Sequence, residues 1–218
     1  MTDRLRYLRQ AKAIPGEETA YVLTRRTVHE QRFVIRPCTE NDLPMIMLIQ
    51  RRVRRRVPSR SLYVMSPRRH VLESIRKDYA IGAWKGKRLV GFSMVLSLRE
   101  TDRNLAYDLG YDPDYALRCA TFDGAWIDPA YQGYGLQQCF CMERERYARS
   151  IGAAEILTCT SPQNYACRRT LEKCGHTAIA ERTLFGGERR VIYSKKLFPL
   201  EEPVLYAILP ANQTGHCN

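Results

Sequence analysis

The segment GAWIDPAYQGYGLQQCF, residues 124–140, constrains this chain more than any other. An apolar run breaks at Asp128-Pro129 and re-enters a helical pattern through Gly133 and Gly135. A glycine inside a helix costs about 1 kcal/mol against alanine. The pair therefore either makes a turn or lets something approach the backbone closely. A strand delivered straight into a helix N-terminus leaves several N–H groups without partners, and the helix dipole adds positive potential there. With no side chain to shield those donors, the loop suits a phosphate or pyrophosphate. Spacing excludes two common phosphate loops. No Lys-Ser or Lys-Thr follows, and Gln138 stands where a dinucleotide fingerprint needs its third glycine.

The flanking patterns supply an α/β frame. Residues 32–36 form a strand, and Thr39 caps a helix whose Leu43, Ile46, Met47 and Gln50 share a face. Ser66-Pro67 opens a second helix, with serine as cap. Residues 79–98 make a hairpin about Lys85-Gly86-Lys87, and 99–117 form a long acidic connection. A strand over 118–127 leads to a helix over 133–149 with Leu136, Phe140 and Tyr147 near one face. Another strand covers 154–160, and Ser161-Pro162 starts a helix that ends at Gly175. A last hairpin turns on Gly186-Gly187. The predicted fold is a single α/β domain, with a mixed, mostly antiparallel sheet flanked by helices. Residues 1–32 read as a basic N-terminal extension, 33–198 as the domain and 199–218 as a tail in which VLYAIL offers one more strand.

IDPAYQGYGLQ (127–137) resembles the pyrophosphate loop of the GNAT acyl-CoA N-acyltransferases, with Gln132 in place of the commoner arginine and Gln137 at a position usually small. NYACRRTLEKCGH (164–176) is similar to that family's second block in Asn164, Glu172, Lys173 and Gly175. The resemblance covers roughly residues 33–197 and implies a splayed central strand pair. It also implies acetyl-CoA or another acyl-CoA as co-substrate, without a metal, and direct transfer to an amine in a ternary complex. Backbone groups at 125–127, Trp126 included, would then pair with the pantetheine arm. The N–H of Ile127 would meet the thioester oxygen, the N–H groups of Gln132, Gly133, Tyr134, Gly135, Leu136 and Gln137 the pyrophosphate, and Asn164 the pantetheine. Leu171 occupies the position of the family's usual tyrosine acid and cannot donate a proton; Tyr165 lies six residues earlier. Asp123 is the carboxylate of the central strand, either a proton acceptor or a structural group. A non-catalytic binder of CoA or nucleic acid with the same fold is the competing reading.

Charge leaves the acceptor open. The net charge is +12, with 17 Lys/Arg against 7 Asp/Glu up to residue 76 and 18 against 16 beyond it. The surplus centres on the run Arg51–Arg56, which suits an anionic partner such as nucleic acid or simply solvates a helix end. Asp108, Asp112 and Asp114 suit a cationic amine instead. The acceptor is accordingly a small molecule or a protein, and the oligomeric state, a dimer included, is undetermined. The eight cysteines lack CxxC spacing and the four histidines lack metal-ligand spacing, so free thiols in a reducing cytoplasm are expected. Cys167 and Cys174 have no evident histidine partner for nucleophilic work. Neither a membrane span nor a secretory leader is legible.

Overall fold

A computed structural model describes residues 18–25 and 29–197. One eight-stranded sheet organises them, in the order β1-β2-β3-β4-β5-β6-β8-β7. Its strands are β1 (Thr19–Arg25), β2 (His29–Pro37), β3 (Tyr79–Lys85), β4 (Arg88–Leu96), β5 (Cys119–Ile127), β6 (Glu155–Thr160), β7 (Thr177–Leu184) and β8 (Glu188–Lys196). Only β5 and β6 run parallel, because a helical crossover joins them while hairpins or returns join the others. The helices are α1 (Leu43–Arg56), α2 (Arg68–Lys77), the short α3 (Leu105–Asp108) and α4 (Pro113–Ala116), α5 (Leu136–Ser150) and α6 (Tyr165–Lys173).

Alternation along the strands divides the core in two. Phe92, Met94 and Trp126 pack with Leu43, Ile46, Ile49, Val53 and Val71 of α1 and α2. Ile81, Val90 and Phe33 pack with Leu136, Cys139, Phe140 and Ala148 of α5. The predicted face of α1 holds: Leu43, Ile46 and Gln50 are buried and Met47 is half-buried. Gln50 answers the question of a buried amide by bonding both the N–H and the carbonyl of Ser66.

Five boundaries differ from the sequence reading. Thr39, expected to cap α1, leads a 3-10 turn over Glu40–Asp42, and α1 starts at Leu43 with Asp42 as its cap. Residues 19–25, expected within an extension, form β1 and pair with β2, which itself begins at His29. Tyr21 of β1 is buried and donates to the Glu143 carboxylate on α5, a long-range contact that no local pattern reveals. The cap of α2 is Pro67 rather than Ser66, since the Pro67 carbonyl accepts from His70 and Val71. The helix predicted from Gly133 starts at Leu136, after Gly135 in the left-handed region at φ 90°. The helix predicted from Ser161 starts at Tyr165; the Ser161 hydroxyl bonds Gln163 instead, and Asn164 caps. VLYAIL lies outside the described residues.

Candidate active site

The β5–β6 ladder is short. Cys119 to Phe122 face Glu155 to Thr158, and beyond that register the strands share no pairs, β6 continuing against β8 alone. A bulge drives β5 aside. Ser93 faces Ala125 and Val95 faces Phe122, so β5 carries one more residue than β4 between the two pairs. Gly124 takes the strained position at φ 98°, and the Ser93 hydroxyl holds its carbonyl at 2.9 Å. Asp128 N–H donates to Val90 O at 2.8 Å. Antiparallel alternation then turns Trp126 toward β4 as well, and turns the N–H groups of Ala125 and Ile127 the other way, into the gap that β6 has left.

At the mouth of that gap lies the opening sequence motif. Asp128 caps a 3-10 turn over Pro129–Tyr131 by accepting from the Ala130 N–H at 3.0 Å. The Arg52 and Arg88 guanidiniums pair with the same carboxylate at 3.0 and 3.1 Å. Burial raises the Asp128 pKa, but these three donors outweigh it and hold it below the usual carboxylate range. Gly133 and Gly135 then take φ 85° and 90°. A Cβ at Gly135 would meet nothing within 4 Å, so the glycine answers a backbone need and leaves open space over the helix end. The Gly135 carbonyl accepts from Gln138 and Cys139. The N–H groups of Gly135, Leu136 and Gln137 find no acceptor among the described residues. Three open donors thus stand at the end of a 15-residue helix, an arrangement suited to an anion.

Between the splayed strands a cavity of ≈730 Å³ opens. Its borders include Tyr63, His70, Asp102, Arg103, Asp108, Asp123 to Trp126, Gln137, Arg144, Thr160, Asn164, Leu171 and Arg190. No protein-family profile matches the sequence, and no curated protein matches it either. Solved structures do. The ribosomal-protein-S18-alanine N-acetyltransferase from Escherichia coli aligns at TM-score 0.58 and 15% identity, over 80% of this chain and 99% of that one. The GNAT domain of S. lividans PAT aligns at 0.59 and 16%, over 83% and 97%. PaiA N-acetyltransferase from Thermoplasma acidophilum, in complex with coenzyme A, aligns at 0.56 and 16%, over 76% and 99%. The chain has the GNAT fold.

Within this GNAT fold the expected residues fall into place unevenly. Asp123, Trp126, Gln137 and Asn164 all border the cavity, whereas Ile127 and Gln132 to Leu136 are not among its lining residues. Trp126 differs from the expectation in detail: its indole is buried and stacks on Phe92 at 5.0 Å, and its N–H belongs to the β4 ladder. Tyr134 packs edge-on against Phe33 at 5.5 Å, anchoring the loop to the sheet. The Asn164 Oδ1 accepts from Cys167 N–H at 3.2 Å, which caps α6 and leaves its Nδ2 as a donor to the cleft. The Gln132 amide reaches the Ile127 carbonyl at 3.4 Å. Asp123 bonds Arg103 at 2.8 Å. Burial pushes its pKa up while the Arg103 guanidinium opposes that rise. Its side chain keeps 24% of its surface open to the cleft.

Leu171 is buried on the cavity wall, and Tyr165 is 66% exposed on the outer side of α6, so neither supplies a proton to the cleft. Burial raises the Cys167 pKa against a hydrogen bond from Thr160, and both His176 nitrogens lack partners, so no thiol–imidazole pair forms. Each charge run gives one residue to a local duty. Arg52 anchors Asp128, while Asp112 caps α4 through Asp114 and Tyr115. Of the acidic trio Asp108 alone borders the cavity, and no member of Arg51–Arg56 does.

Sequence reasoning missed three cleft residues. Arg103 is the partner of Asp123, twenty positions away, and nothing local announces it. The Tyr63 hydroxyl is buried without a hydrogen-bond partner and its ring meets Trp126 edge-on at 6.3 Å. Arg144 did leave a signal. It stands four residues after Phe140, on the apolar face of α5. Among the described residues no helix is long and apolar enough to cross a membrane, and no cluster of three His, Cys, Asp or Glu could hold a metal.

Proposed function

We propose that this chain is an N-acyltransferase that moves an acyl group from acyl-CoA, acetyl-CoA in the simplest case, to an amine by direct attack in a ternary complex. The observation that carries the reading is one juxtaposition: an uncapped glycine helix mouth opening onto a strand pair that separates after Phe122 and Thr158. The donors at Gln132 to Gln137 take the pyrophosphate. The unpaired edge of β5 at Ala125 and Ile127 receives the amide-rich pantetheine arm as a further strand would. The N–H of Ile127 stabilises the oxyanion of the tetrahedral intermediate, and Asn164 Nδ2 bonds the arm. Asp123, its pKa raised by burial, accepts the amine proton directly or through water. Tyr63 brings a hydroxyl without a partner among the described residues to the border of the cleft, suited to bond the acceptor or the departing thiolate. An alkyl thiol with a pKa near ~8.5 leaves as thiolate without a strict acid, so Leu171 does not forbid turnover.

Calorimetric titration with acetyl-CoA tests the site. Gly135→Glu places a carboxylate over the open donors and should abolish binding; an unchanged affinity would sink the assignment. The buried Leu171 favours a second reading, a binder without catalysis, which predicts acetyl-CoA affinity but no amine-dependent thiol release.

A further inference from the structure

Arg144 is out of keeping with its surroundings. It lies in the third turn of α5 with 2% of its surface exposed and heads the fully buried side chains in volume. Its Nε donates to the Phe140 carbonyl at 3.2 Å, and its Nη2 lies 3.6 Å from the Cys141 sulfur. The guanidinium stacks 4.1 Å from the Phe122 ring centroid. Among the described residues no carboxylate pairs with it, and Nη1 has no acceptor. The other two cleft arginines are committed: Arg103 to Asp123 and Glu73, Arg190 to the carbonyls of Ser61 and Arg189. An unpaired buried charge is costly, and removing that charge by a leucine or methionine would be the simpler core solution. On the same Phe122 ring packs His176, 5.7 Å away, whose two nitrogens are buried and unpartnered. What this corner lacks is an anion.

The corner is the closed end of the cleft. Phe122 is the last β5 residue paired with β6, and five residues of strand put it on the order of 15 Å from Ile127 and the loop. A group held by Arg144 is therefore neither the pyrophosphate nor the thioester oxygen. The wedge there narrows toward the ~4.8 Å spacing of paired strands, which suits a flat group matched to the guanidinium edge.

We propose that Arg144 is a carboxylate-binding subsite at the apex of the β5–β6 wedge, so that one of the two substrates ends in a carboxylate. This rests on the acyl-transfer reading, which supplies two sources of that group: the free end of the acyl chain, or the amine acceptor. The Cys141 thiol, in contact with Arg144 and hydrogen-bonded to Cys174, is the internal alternative as counter-ion.

Two measurements test the subsite. First, the His176 ring is titrated by NMR with and without glutarate, against sodium chloride at matched ionic strength. Arg144 is one of the charges that lower the His176 pKa, so an anion on Arg144 raises it. Second, thiol release is compared for glutaryl-CoA against acetyl-CoA with a neutral amine, and for acetyl-CoA with carboxylate-bearing against neutral amines. One of these arms should favour the carboxylate by roughly 10- to 100-fold in kcat/KM, a charged hydrogen bond's worth, and the arm that responds identifies the source. Arg144→Met should erase the preference and leave the neutral reaction within about twofold, and Arg144→Lys should keep part of it. In the wild type, a His176 that ignores glutarate together with no preference in either arm overturns the proposal, whether or not the variants fold. A uniform loss on all substrates in a folded Arg144→Met also overturns it and leaves Arg144 as the partner of Cys141. If glutarate moves His176 but no acyl-CoA releases thiol, the subsite stands and the acyl-transfer reading falls.

Discussion

Removing the Asp128 carboxylate should loosen the loop that leads into α5 by a calculable amount. Three donors meet it: the Ala130 N–H at 3.0 Å, Arg52 at 3.0 Å and Arg88 at 3.1 Å. Loss of a cap-type bond costs about 0.5–2 kcal/mol. The arginine side chains are 42% and 52% exposed, so in Asp128→Ala both regain water and each pair counts for about 0.2–1 kcal/mol. The substitution also removes the desolvation cost of the buried carboxylate itself, which trims the total. Asp128→Ala should therefore destabilise the protein by about 2 kcal/mol in urea unfolding at neutral pH. Asp128→Asn keeps an acceptor for Ala130 and should lose about half as much. Because the native carboxylate is held below its ordinary pKa, its contribution is complete above ~pH 4 and fades as the pH falls through the lower folded value. The gap between wild type and Asp128→Ala should accordingly narrow in acid, and at high salt by the ion-pair share. A neutral-pH difference under about 0.5 kcal/mol, or one that does not shrink in acid, would refute the bridging role. Acetyl-CoA affinity measured on the folded variant should fall in parallel.

His176 gives the same pH sign in the next window up. Burial, with Arg144 and Lys195, lowers its pKa from 6.5 to about 4, so the unfolded chain takes the proton first. Stability should fall by about 3 kcal/mol as pH drops from about 6.5 to about 4, and His176→Leu should remove that slope from a pH series of urea curves. Glu155 is wholly buried and accepts from Lys196 at 2.6 Å, Tyr115 at 3.0 Å and the Ser194 hydroxyl. Glu155→Ala should cost about 3–4 kcal/mol and free the 99–117 connection to faster hydrogen exchange. Asn164→Ala removes the α6 cap and should cost about 1 kcal/mol in stability; if Nδ2 also serves the pantetheine arm, acetyl-CoA affinity falls beyond what that loss explains, and calorimetry separates the two.

Much of this was legible because it is local. Gly133 and Gly135 declared the helix mouth through their helix cost, and the Gly186-Gly187 hairpin and the face of α1 follow from turn chemistry and period. The splayed pairing of β5 with β6 was legible only with the family resemblance, and the short parallel ladder between them bears it out. Helix starts slipped by one to four residues. The competing cappers at Pro67, Gly135 and Asn164 were settled by backbone angles that composition does not encode. β1 was missed although TAYVLTR suits a strand, because the basic residues around it carried the reading of an extension and its pairing with β2 shows only in the sheet.

The sequence by itself determined the glycine turn at the mouth of α5, the absence of a tyrosine acid at Leu171 and the order of most elements. These depend on residue type and on neighbours a few positions away. Only the tertiary structure decided which charges keep company. It joined Asp123 to Arg103, turned Arg52 inward to Asp128, left the Tyr63 hydroxyl unbonded in the cleft and buried Arg144 without a carboxylate. Those are contacts between strands, helices and loops twenty to seventy-six residues apart. Burial and distance set their energies, and neither exists until the sheet has assembled.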